Sequence, residues 1–290
     1  MEYHNDRFND FSLLVFKDEK LVAILPANRV EDCVYSHQGL TYGGLVFKEN
    51  LKLNSVLLIY KALLKFLNEA KISELQLKIL PSIYNTLPND EQSYIMFLLN
   101  AKLNRRDALS VIDYRQVLKF SKDRLEGVKR GKKHGLVIKE VGSFESFWST
   151  VLEPNLNEKH NVKPVHSLAE ITVLKTNFGK QIRQFNVYQN NQIVAGTTIF
   201  ESKYVAHSQY ISGNNQKNEL GSLDFLHHYL ITSVFNNKRF FDFGVSNVNN
   251  GRQVNQGLQY WKEGFGARTV TQDFYTVDTN SYKILDTVLI

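Results

Sequence analysis

The sequence repeats one order of structural elements, and this repeat limits the fold more than any other feature. Residues 14–25 (LVFKDEKLVAIL) and 186–197 (NVYQNNQIVAGT) each read as a strand, a polar turn suited to a tight hairpin, and a second strand. The order continues in both copies: residues 33–44 correspond to 203–214, 53–67 to 222–235, 74–80 to 240–246, 91–103 to 253–265, and 108–118 to 269–277. Because so long a chance match is rare, the sequence predicts a tandem strand-strand-strand-helix-strand-helix-strand unit.

The segment between the copies, residues 120–180, contains no linker rich in Pro, Gly or Ser. It predicts a basic helix at 122–133, a strand at 136–141, an aromatic helix at 144–152 that breaks near Pro154, and a helix at 167–177. Ser167 and Glu170 have the spacing of a capping box for that last helix. We assign these elements to the second copy, which predicts an incomplete first domain at residues 1–119 and a second domain at residues 120–290.

Composition excludes several classes of protein. The chain of 290 residues has one cysteine, Cys33, which can form neither an internal disulfide nor a multi-cysteine zinc site. No apolar run reaches the roughly 20 residues of a membrane span. The opening MEYHNDRFND is unlike a signal peptide. We therefore expect a cytoplasmic protein without a metal ion.

Basic residues are densest at residues 119–139, within a chain of net charge +6. One interpretation is a solvated helix face. The other is a surface for an anionic ligand: a nucleotide, a nucleic acid or a membrane.

Candidate functional side chains concentrate in residues 239–275. The apolar run RFFDFGVS predicts a buried strand, and the polar loop after it precedes a helix at 253–264 and a strand at 269–277. Loops at the carboxyl ends of strands carry ligands in α/β folds, so Ser246, Asn249 and Arg252 are candidates for substrate binding. Asp242 lies mid-strand, where a buried carboxylate needs a partner. It is either a structural carboxylate, bound to backbone amides or Arg252, or a general base.

The second domain's order of elements resembles the GNAT acyltransferase fold, and tandem copies resemble its FemABX-like branch. GLQYWKEGFGAR (residues 257–268) is similar to that branch's Gly-Leu-x-x-Phe-Lys-x-x-Phe-Gly signature, with Trp261 in the aromatic place and Lys262 after it. RFFDFGVS resembles its aromatic-Asp-Phe-Gly strand, and SHQGLTYGG (residues 36–44) resembles a first-domain segment of relatives linked to polysaccharides. The resemblance implies an α+β fold of two tandem GNAT-like domains, each with a mixed, mostly antiparallel sheet flanked by helices.

The resemblance also implies that two central strands separate to hold an acyl donor, acetyl-CoA or another acyl-CoA, with phosphates at a helix N-terminus. The residues placed there are Tyr210, Ile211, Gly213, Lys217, Gly221 and Ser222. Ser222 reads equally as the helix N-cap and Gly221 as a turn residue. The usual Gln/Arg-x-x-Gly-x-Gly/Ala motif is replaced by SGNNQKNELGS, a departure that many FemABX-like proteins share.

For catalysis the resemblance places Lys262 near the donor, as an oxyanion or phosphate partner. Asp242 is a candidate base, and His207 lies on the separating strand. In two-lobed relatives the acceptor lies in a cleft between lobes, so Ser36, His37, Tyr42 and Gly43 are further candidates for substrate binding, with a plain turn as the alternative.

Three functions remain open. The first is transfer of an acyl group, in the first instance acetyl, from acyl-CoA to an amine on an amino sugar or sugar nucleotide. The second is transfer from aminoacyl-tRNA in cell-wall synthesis, for which the basic helix is the motive. The third is a binding module in which one or both copies have lost catalysis.

Overall fold

The computed structural model describes residues 5–289, and these form two compact units. Unit one comprises the described residues of Met1–Asp107, Asn247–Gln253 and Thr271–Ile290; unit two comprises Ala108–Ser246 and Val254–Val270. These units are groups of closely packed segments. Where the duplicated sequence divides, with residue 119 ending the first copy and residue 120 beginning the second, stays a prediction.

The elements are numbered in chain order. The strands are β1 Leu13–Lys17, β2 Lys20–Leu25, β3 Asn28–Val30, β4 Cys33–Tyr35, β5 Val46–Phe47, β6 Glu74–Lys78, β7 Lys102–Asp113, β8 Val137–Val141, β9 Ile182–Gln189, β10 Gln192–Glu201, β11 Val205–Gly213, β12 Phe240–Val245, β13 Asn247–Val248, β14 Gln253–Val254 and β15 Arg268–Asp278. The α-helices are α1 Leu53–Glu69, α2 Glu91–Leu98, α3 Lys122–Lys133, α4 Glu145–Phe147, α5 Glu153–His160, α6 Leu168–Phe178, α7 Lys217–Leu220, α8 Ser222–Tyr229 and α9 Gln256–Glu263.

Unit one contains two groups of strands. In the first, β1, β2 and β5 form a small antiparallel sheet. Its β1–β2 turn places Asp18 (φ 48°) and Glu19 (φ 62°) in the left-handed region, as the KDEK hairpin predicted. In the second, β3, β4, β6 and residues 271–278 of β15 lie side by side, with β4 and β6 parallel and the other neighbours antiparallel.

The core of unit one forms around α1. Its buried side chains recur every three or four residues, which places them on one face of the helix. That face packs with apolar residues of β2, β4 and β6, including Leu25, Val34 and Leu75, none of which is exposed.

Unit two contains one run of strands, in the order β7 (residues 108–113), β12, β11, β10, β9, β8. Only β11 and β12 are parallel among these neighbours. The β9–β10 turn has Asn190 (φ 49°) and Asn191 (φ 63°), so the QNNQ hairpin is confirmed. Helix α3 lies against α8 through two glycines: an added Cβ would come within 1.8 Å of Asp224 at Gly127 and 2.6 Å of Phe225 at Gly131.

Two helix predictions need correction. Residues 145–160 continue as a helix through Pro154, which lies in the first turn of α5. A π-helical segment, Trp148–Leu152, comes directly before it. The predicted helix at 222–235 is α8 followed by a second π-helical segment, Leu230–Val234. The capping box of Ser167 and Glu170 is confirmed.

Two strand predictions also need correction. Strand β7 begins at Lys102, inside the predicted helix 91–103, because its polar first half KLNRRD gave no apolar alternation. In the first copy the third strand, β4, ends at Tyr35, and residues 36–44 form a loop. Left-handed backbone at His37 (φ 47°) and Gly44 (φ 94°) is incompatible with a continuing strand.

Candidate functional site

The parallel strands of unit two separate partway along their length. Their register joins only three positions, Val205–His207 with Phe240–Asp242. Strand β11 then continues to Gly213 paired with β10 on its other side, and β12 continues to Val245. The last joined pair, His207 and Asp242, therefore lies where the sheet opens, and the separation expected from the resemblance is present.

Asp242 is fully buried and makes two interactions that explain its place in an apolar strand. Its Oδ2 lies 2.9 Å from Nδ1 of His207, and its Oδ1 accepts a hydrogen bond of 2.7 Å from the backbone N–H of Gly244. Gly244 has φ 69°, and a Cβ there would lie 3.3 Å from the His207 ring. A buried carboxylate without such partners would be costly.

His207 is oriented by that carboxylate. The Asp242 carboxylate accepts at Nδ1, and Nε2 lies 3.1 Å from the side-chain oxygen Oε1 of Gln209, so both ring nitrogens face acceptors. His207 is 7% exposed. A histidine held by a carboxylate in this way is suited to take a proton.

Lys262 extends from α9 to the end of β12. Its Nζ donates to the carbonyl oxygens of Gly244 (3.1 Å) and Val245 (2.7 Å), although only 2% of the residue is exposed. Burial lowers the pKa of Lys262 to about 8, and the charge of Asp242 acts in the opposite direction. Two of the three N–H donors of the ammonium are therefore used by the backbone at the end of β12.

Ser246 follows β12 directly. Its Oγ is buried and has no hydrogen-bond partner among the described residues, while its backbone carbonyl accepts from Asn255 N–H at 2.8 Å. A buried hydroxyl without a partner is uncommon and can mark a place that a ligand completes.

The N-terminus of α8 differs from the expectation. Ser222 is the first helical residue rather than the N-cap, and Gly221 occupies the cap position with φ 66°. The cap prediction is wrong because α7 leads through Gly221 directly into α8. Ser222 is fully buried, and its Oγ has no partner among the described residues.

That helix end is already closed by protein groups. A Cβ on Gly221 would lie 2.1 Å from the carbonyl oxygen of Gly127 in α3. Asp224, in the first turn, accepts hydrogen bonds from Arg124 (2.6 Å) and from Trp261 Nε1 (2.8 Å). Burial raises the pKa of Asp224, and the charge of Arg124 opposes this. The first turn of α8 therefore carries a buried carboxylate that Arg124 and Trp261 hold in place.

The other donor candidates lie along β11 and α7. The Tyr210 hydroxyl contacts His166 Nδ1 at 2.6 Å, and Ile211 packs with the apolar core of unit two. A Cβ on Gly213 would come within 2.9 Å of Lys217, which begins α7 and is half-buried. These contacts account for the four residues structurally, and their part in donor binding stays a prediction.

The acceptor candidates of the first copy form a tightly built loop in unit one. Ser36 Oγ accepts from the backbone N–H of Lys78 at 2.7 Å, and a Cβ on Gly43 would lie 1.9 Å from the Ser36 carbonyl oxygen. His37, 2% exposed, accepts from Gly39 N–H at 3.1 Å. Tyr42 contacts Tyr84, with ring centroids 4.7 Å apart.

Asn249 and Arg252 belong to the short hairpin β13–β14, whose tip lies in unit one. Asn249 has φ 50°, and its carbonyl accepts from Arg252 N–H at 3.0 Å. A Cβ on the next turn residue, Gly251, would lie 2.3 Å from the Arg106 carbonyl oxygen. The structure thus brings together Asp242, His207 and Lys262 in unit two, and Ser36, His37, Tyr42 and Gly43 in unit one.

Sequence reasoning missed several residues of these groups. Gly244 was inside a quoted motif, and its place two residues after Asp242 was the available signal. For Gln209 the available signal was its place two residues after His207 on the same strand. Arg124 and Asp224 carried no signal, because their partners lie on other helices and are distant in sequence. Among the side chains that the structure describes, no group of three or more His, Cys, Asp and Glu could hold a metal ion. None of the helices described is long and apolar enough to cross a bilayer.

No family model matches this sequence, and none of the curated proteins does. Solved structures do match. FemX has a TM-score of 0.63 at 10% identity, covering 97% of this chain and 91% of FemX. L-PGS from Bacillus licheniformis has a TM-score of 0.60 at 12% identity, and the match covers 94% of this chain and 88% of L-PGS. A tandem GNAT protein from the clavulanic acid biosynthesis pathway has a TM-score of 0.55 at 10% identity, and the match covers 92% of this chain and 82% of that protein. The fold prediction is confirmed: the chain has a GNAT fold in two tandem units, with the likeness to FemX expected of the FemABX-like branch.

Proposed function

We propose that unit two catalyses transfer of an acyl group from an activated carrier to an amine. The observation that carries this is the His207–Asp242 pair at the point where β11 and β12 separate, with the buried Lys262 ammonium at the end of β12. A base and a cation beside an opened sheet are the two aids that acyl transfer to an amine needs.

In the proposed reaction the side chain of Gln209 turns away from His207 Nε2, which then takes a proton from the attacking ammonium. The freed lone pair forms a C–N bond to the acyl carbon, and the carbonyl π electrons move to oxygen. When the oxyanion collapses, the bond to the carrier breaks, His207 returns its proton to the leaving sulfur or oxygen, and the new amide nitrogen releases its second proton to water. Asp242 holds the ring and stabilises the imidazolium, as its contact of 2.9 Å allows.

Lys262 supplies the remaining N–H to the oxyanion. Its two carbonyl partners fix the ammonium in place, so little reorganisation is needed as negative charge develops. One such donor contributes roughly 3–4 kcal/mol to the barrier reduction in acyl transfer.

For the donor, the helix contacts favour aminoacyl-tRNA. The N-terminus of α8 is closed by α3 and carries Asp224, which disfavours a diphosphate there. The outer face of α3 exposes Lys122, Lys129, Arg130, Lys132 and Lys133, a suitable surface for a phosphate backbone. The likenesses to FemX and L-PGS fit an aminoacyl carrier at least as well as acyl-CoA.

Acyl-CoA, with acetyl as the group moved, is the second candidate. The likeness to the tandem GNAT protein, a structure solved without AcCoA, fits this donor. The acceptor in either case is an amine, with an amino sugar or sugar nucleotide of surface polysaccharide as the first class to test. We place the protein in the cytoplasm, where both donors are found.

The test offers the full chain each donor with amino-sugar and amine-bearing sugar-nucleotide acceptors, and mass spectrometry detects the acylated product. A product formed with one donor only assigns that donor. The absence of product with both donors would instead support a binding module without catalysis, and full activity of His207→Ala would remove the role proposed for this histidine.

Charge reversal tests the tRNA surface separately. Lys129, Arg130, Lys132 and Lys133 of α3 are changed to Glu, and four exposed unit-one lysines, at positions 17, 20, 52 and 102, are changed as a matched control. Retention of tRNA should be lost in the first variant only, and wild-type retention should fall steeply with salt. Equal retention by both variants would remove tRNA from consideration.

A further inference from the structure

A hollow in unit one contains none of the candidate site residues but adjoins the loop 36–44, because Tyr84 in its lining contacts Tyr42. It has a volume of about 480 Å³ and lies between residues 45–51, the start of α1 and residues 80–91. This volume is within the roughly 300–1,000 Å³ of small-molecule sites. We call it the unit-one hollow. Its floor is apolar and includes Leu45, Val56 and Leu80.

The rim of the unit-one hollow is polar. Asn85, Thr86 and Asn89 are half-buried along one side, and the half-buried ring of Tyr84 precedes them. The side-chain amides of Asn85 and Asn89 make no hydrogen bond to any other described residue, whereas Thr86 Oγ1 donates to Glu49 at 3.1 Å. Each free amide offers both donors and an acceptor to a ligand.

The charges around the hollow disfavour an anion. Lys48, Glu49 and Glu91 contribute one positive and two negative charges. A phosphate or diphosphate would face a net negative rim, while a neutral or cationic ligand would not. The ligand that fits is uncharged or amine-bearing, apolar on one face and rich in groups that both donate and accept hydrogen bonds.

We propose that the unit-one hollow binds a saccharide. The C–H face of a pyranose ring packs on the apolar floor and beside Tyr84, and its hydroxyls exchange hydrogen bonds with Asn85, Thr86 and Asn89. Hydroxyl groups match amides because both types donate and accept. This binding does not depend on acyl transfer, so its success or failure is measured without any turnover.

The experiment uses the full chain and saturation-transfer NMR with three probes: N-acetylglucosamine, chitobiose and UDP-N-acetylglucosamine. A dissociation constant on the order of 1 mM is expected for the monosaccharide, given its size. If the natural ligand is a sugar nucleotide, UDP-N-acetylglucosamine should bind at least as tightly as the free sugar. If the natural ligand is an oligosaccharide, chitobiose should bind more tightly than N-acetylglucosamine, and UDP-N-acetylglucosamine should bind more weakly.

The variant Asn85→Ala/Asn89→Ala should weaken binding about tenfold or more, since two hydrogen-bonding amides are removed. Asn89→Trp, which fills the hollow, should abolish it. Asn215→Ala, an exposed asparagine of unit two, is the matched control and should bind as wild type does. Unchanged circular dichroism in all variants excludes misfolding.

Absence of binding by all three probes at about 20-fold above the expected constant overturns the proposal, and so does binding that both rim variants leave intact. Sugar binding without any acyl transfer would leave this inference standing and remove the proposed function. Detection of acyl transfer, together with sugar binding that the rim variants do not weaken, would leave the proposed function standing and overturn this inference.

Discussion

The two units contain the same parallel pair of strands and differ in the segment that comes after it. In unit one, residues 33–35 of β4 pair with residues 74–76 of β6, and the chain then forms the loop 36–44. That loop stays on β6, because Ser36 N–H donates to the Gln76 carbonyl oxygen at 2.9 Å and Lys78 Nζ donates to Leu40. The opening between the strands is therefore closed by the backbone of the unit itself.

In unit two the corresponding opening is bounded by titratable groups. The third strand pair is His207 with Asp242, where unit one has Tyr35 with Gln76. The carbonyl oxygens at the end of β12 are satisfied by one ammonium, Lys262, rather than by a loop. A duplicated scaffold can thus keep one copy for structure while the other copy retains groups suited to chemistry.

The largest effect is expected at the third strand pair. His207→Ala and Asp242→Asn should each lower turnover by roughly 10²–10⁴-fold, because proton transfer loses its base or its orienting carboxylate. The matched changes in unit one, Tyr35→Phe and Gln76→Ala, should leave turnover unchanged. Steady-state rates under one donor and acceptor decide this. Equal losses of turnover from the variants of both units would show that the two strand pairs do not differ in their part in catalysis.

Two lysines give the next contrast, the buried Lys262 of unit two and the half-buried Lys78 of unit one. Lys262→Met should lower kcat by roughly 10²–10³-fold with a smaller change in KM, since the oxyanion loses a fixed donor. Lys78→Met should cost about 1 kcal/mol of unfolding free energy through its lost hydrogen bond and leave kcat as it is. If Lys262→Met changed only the melting temperature, its role would be to hold β12.

Alanine substitutions at glycines with left-handed backbone test how much the close packing beside each glycine contributes to the unfolding free energy. Gly221→Ala should lower the unfolding free energy by about 3 kcal/mol, because φ is 66° and the Cβ would lie 2.1 Å from Gly127 oxygen. Gly44→Ala, with φ 94° and 2.7 Å to Lys78 oxygen, should cost somewhat less.

Gly135→Ala is the control for these substitutions. It shares φ 66° but meets nothing within 4 Å, so about 1 kcal/mol from backbone strain alone is expected. Chemical denaturation measures all three variants. A loss at Gly221 no larger than at Gly135 would mean that α3 yields to the added methyl group.

The smallest effect concerns stability and pH. The pKa of Lys262 is lowered to about 8 by burial, so between pH 8 and 10.5 the unfolded state binds more protons than the folded state. Stability should therefore rise across that window by up to about 3 kcal/mol in the wild type relative to Lys262→Met. A parallel pH dependence of the two proteins would contradict the assigned shift.

Much of the fold could be predicted because its signals are local. The hairpin turns at Asp18–Glu19 and Asn190–Asn191, the capping box at Ser167 and the basic helix α3 each depend on residues close in sequence. The loop 36–44 and the early start of β7 could not be predicted. They depend on Lys78 and on neighbouring strands, which local patterns do not contain.

The candidate site was predicted as residues rather than as a geometry. Asp242, Lys262 and His207 were each identified, but their arrangement needed the parallel register of strands that are 35 residues apart. The closure of α8 by Gly127 and Asp224 gave no sequence signal, because a glycine and a salt bridge on two helices have meaning only after packing.

The pairing of strand β15 has a consequence for how this chain folds during translation. Residues 274–278 pair with residues 74–78, so this partner of β6 in unit one is synthesised only after the whole of unit two. The edge of β6 that faces β15 therefore has no strand beside it while unit two is being synthesised, whereas β4 can already pair with the other edge. Chaperones that shield nascent strand edges would meet that one edge, and slowing translation of the β15 codons should prolong its exposure.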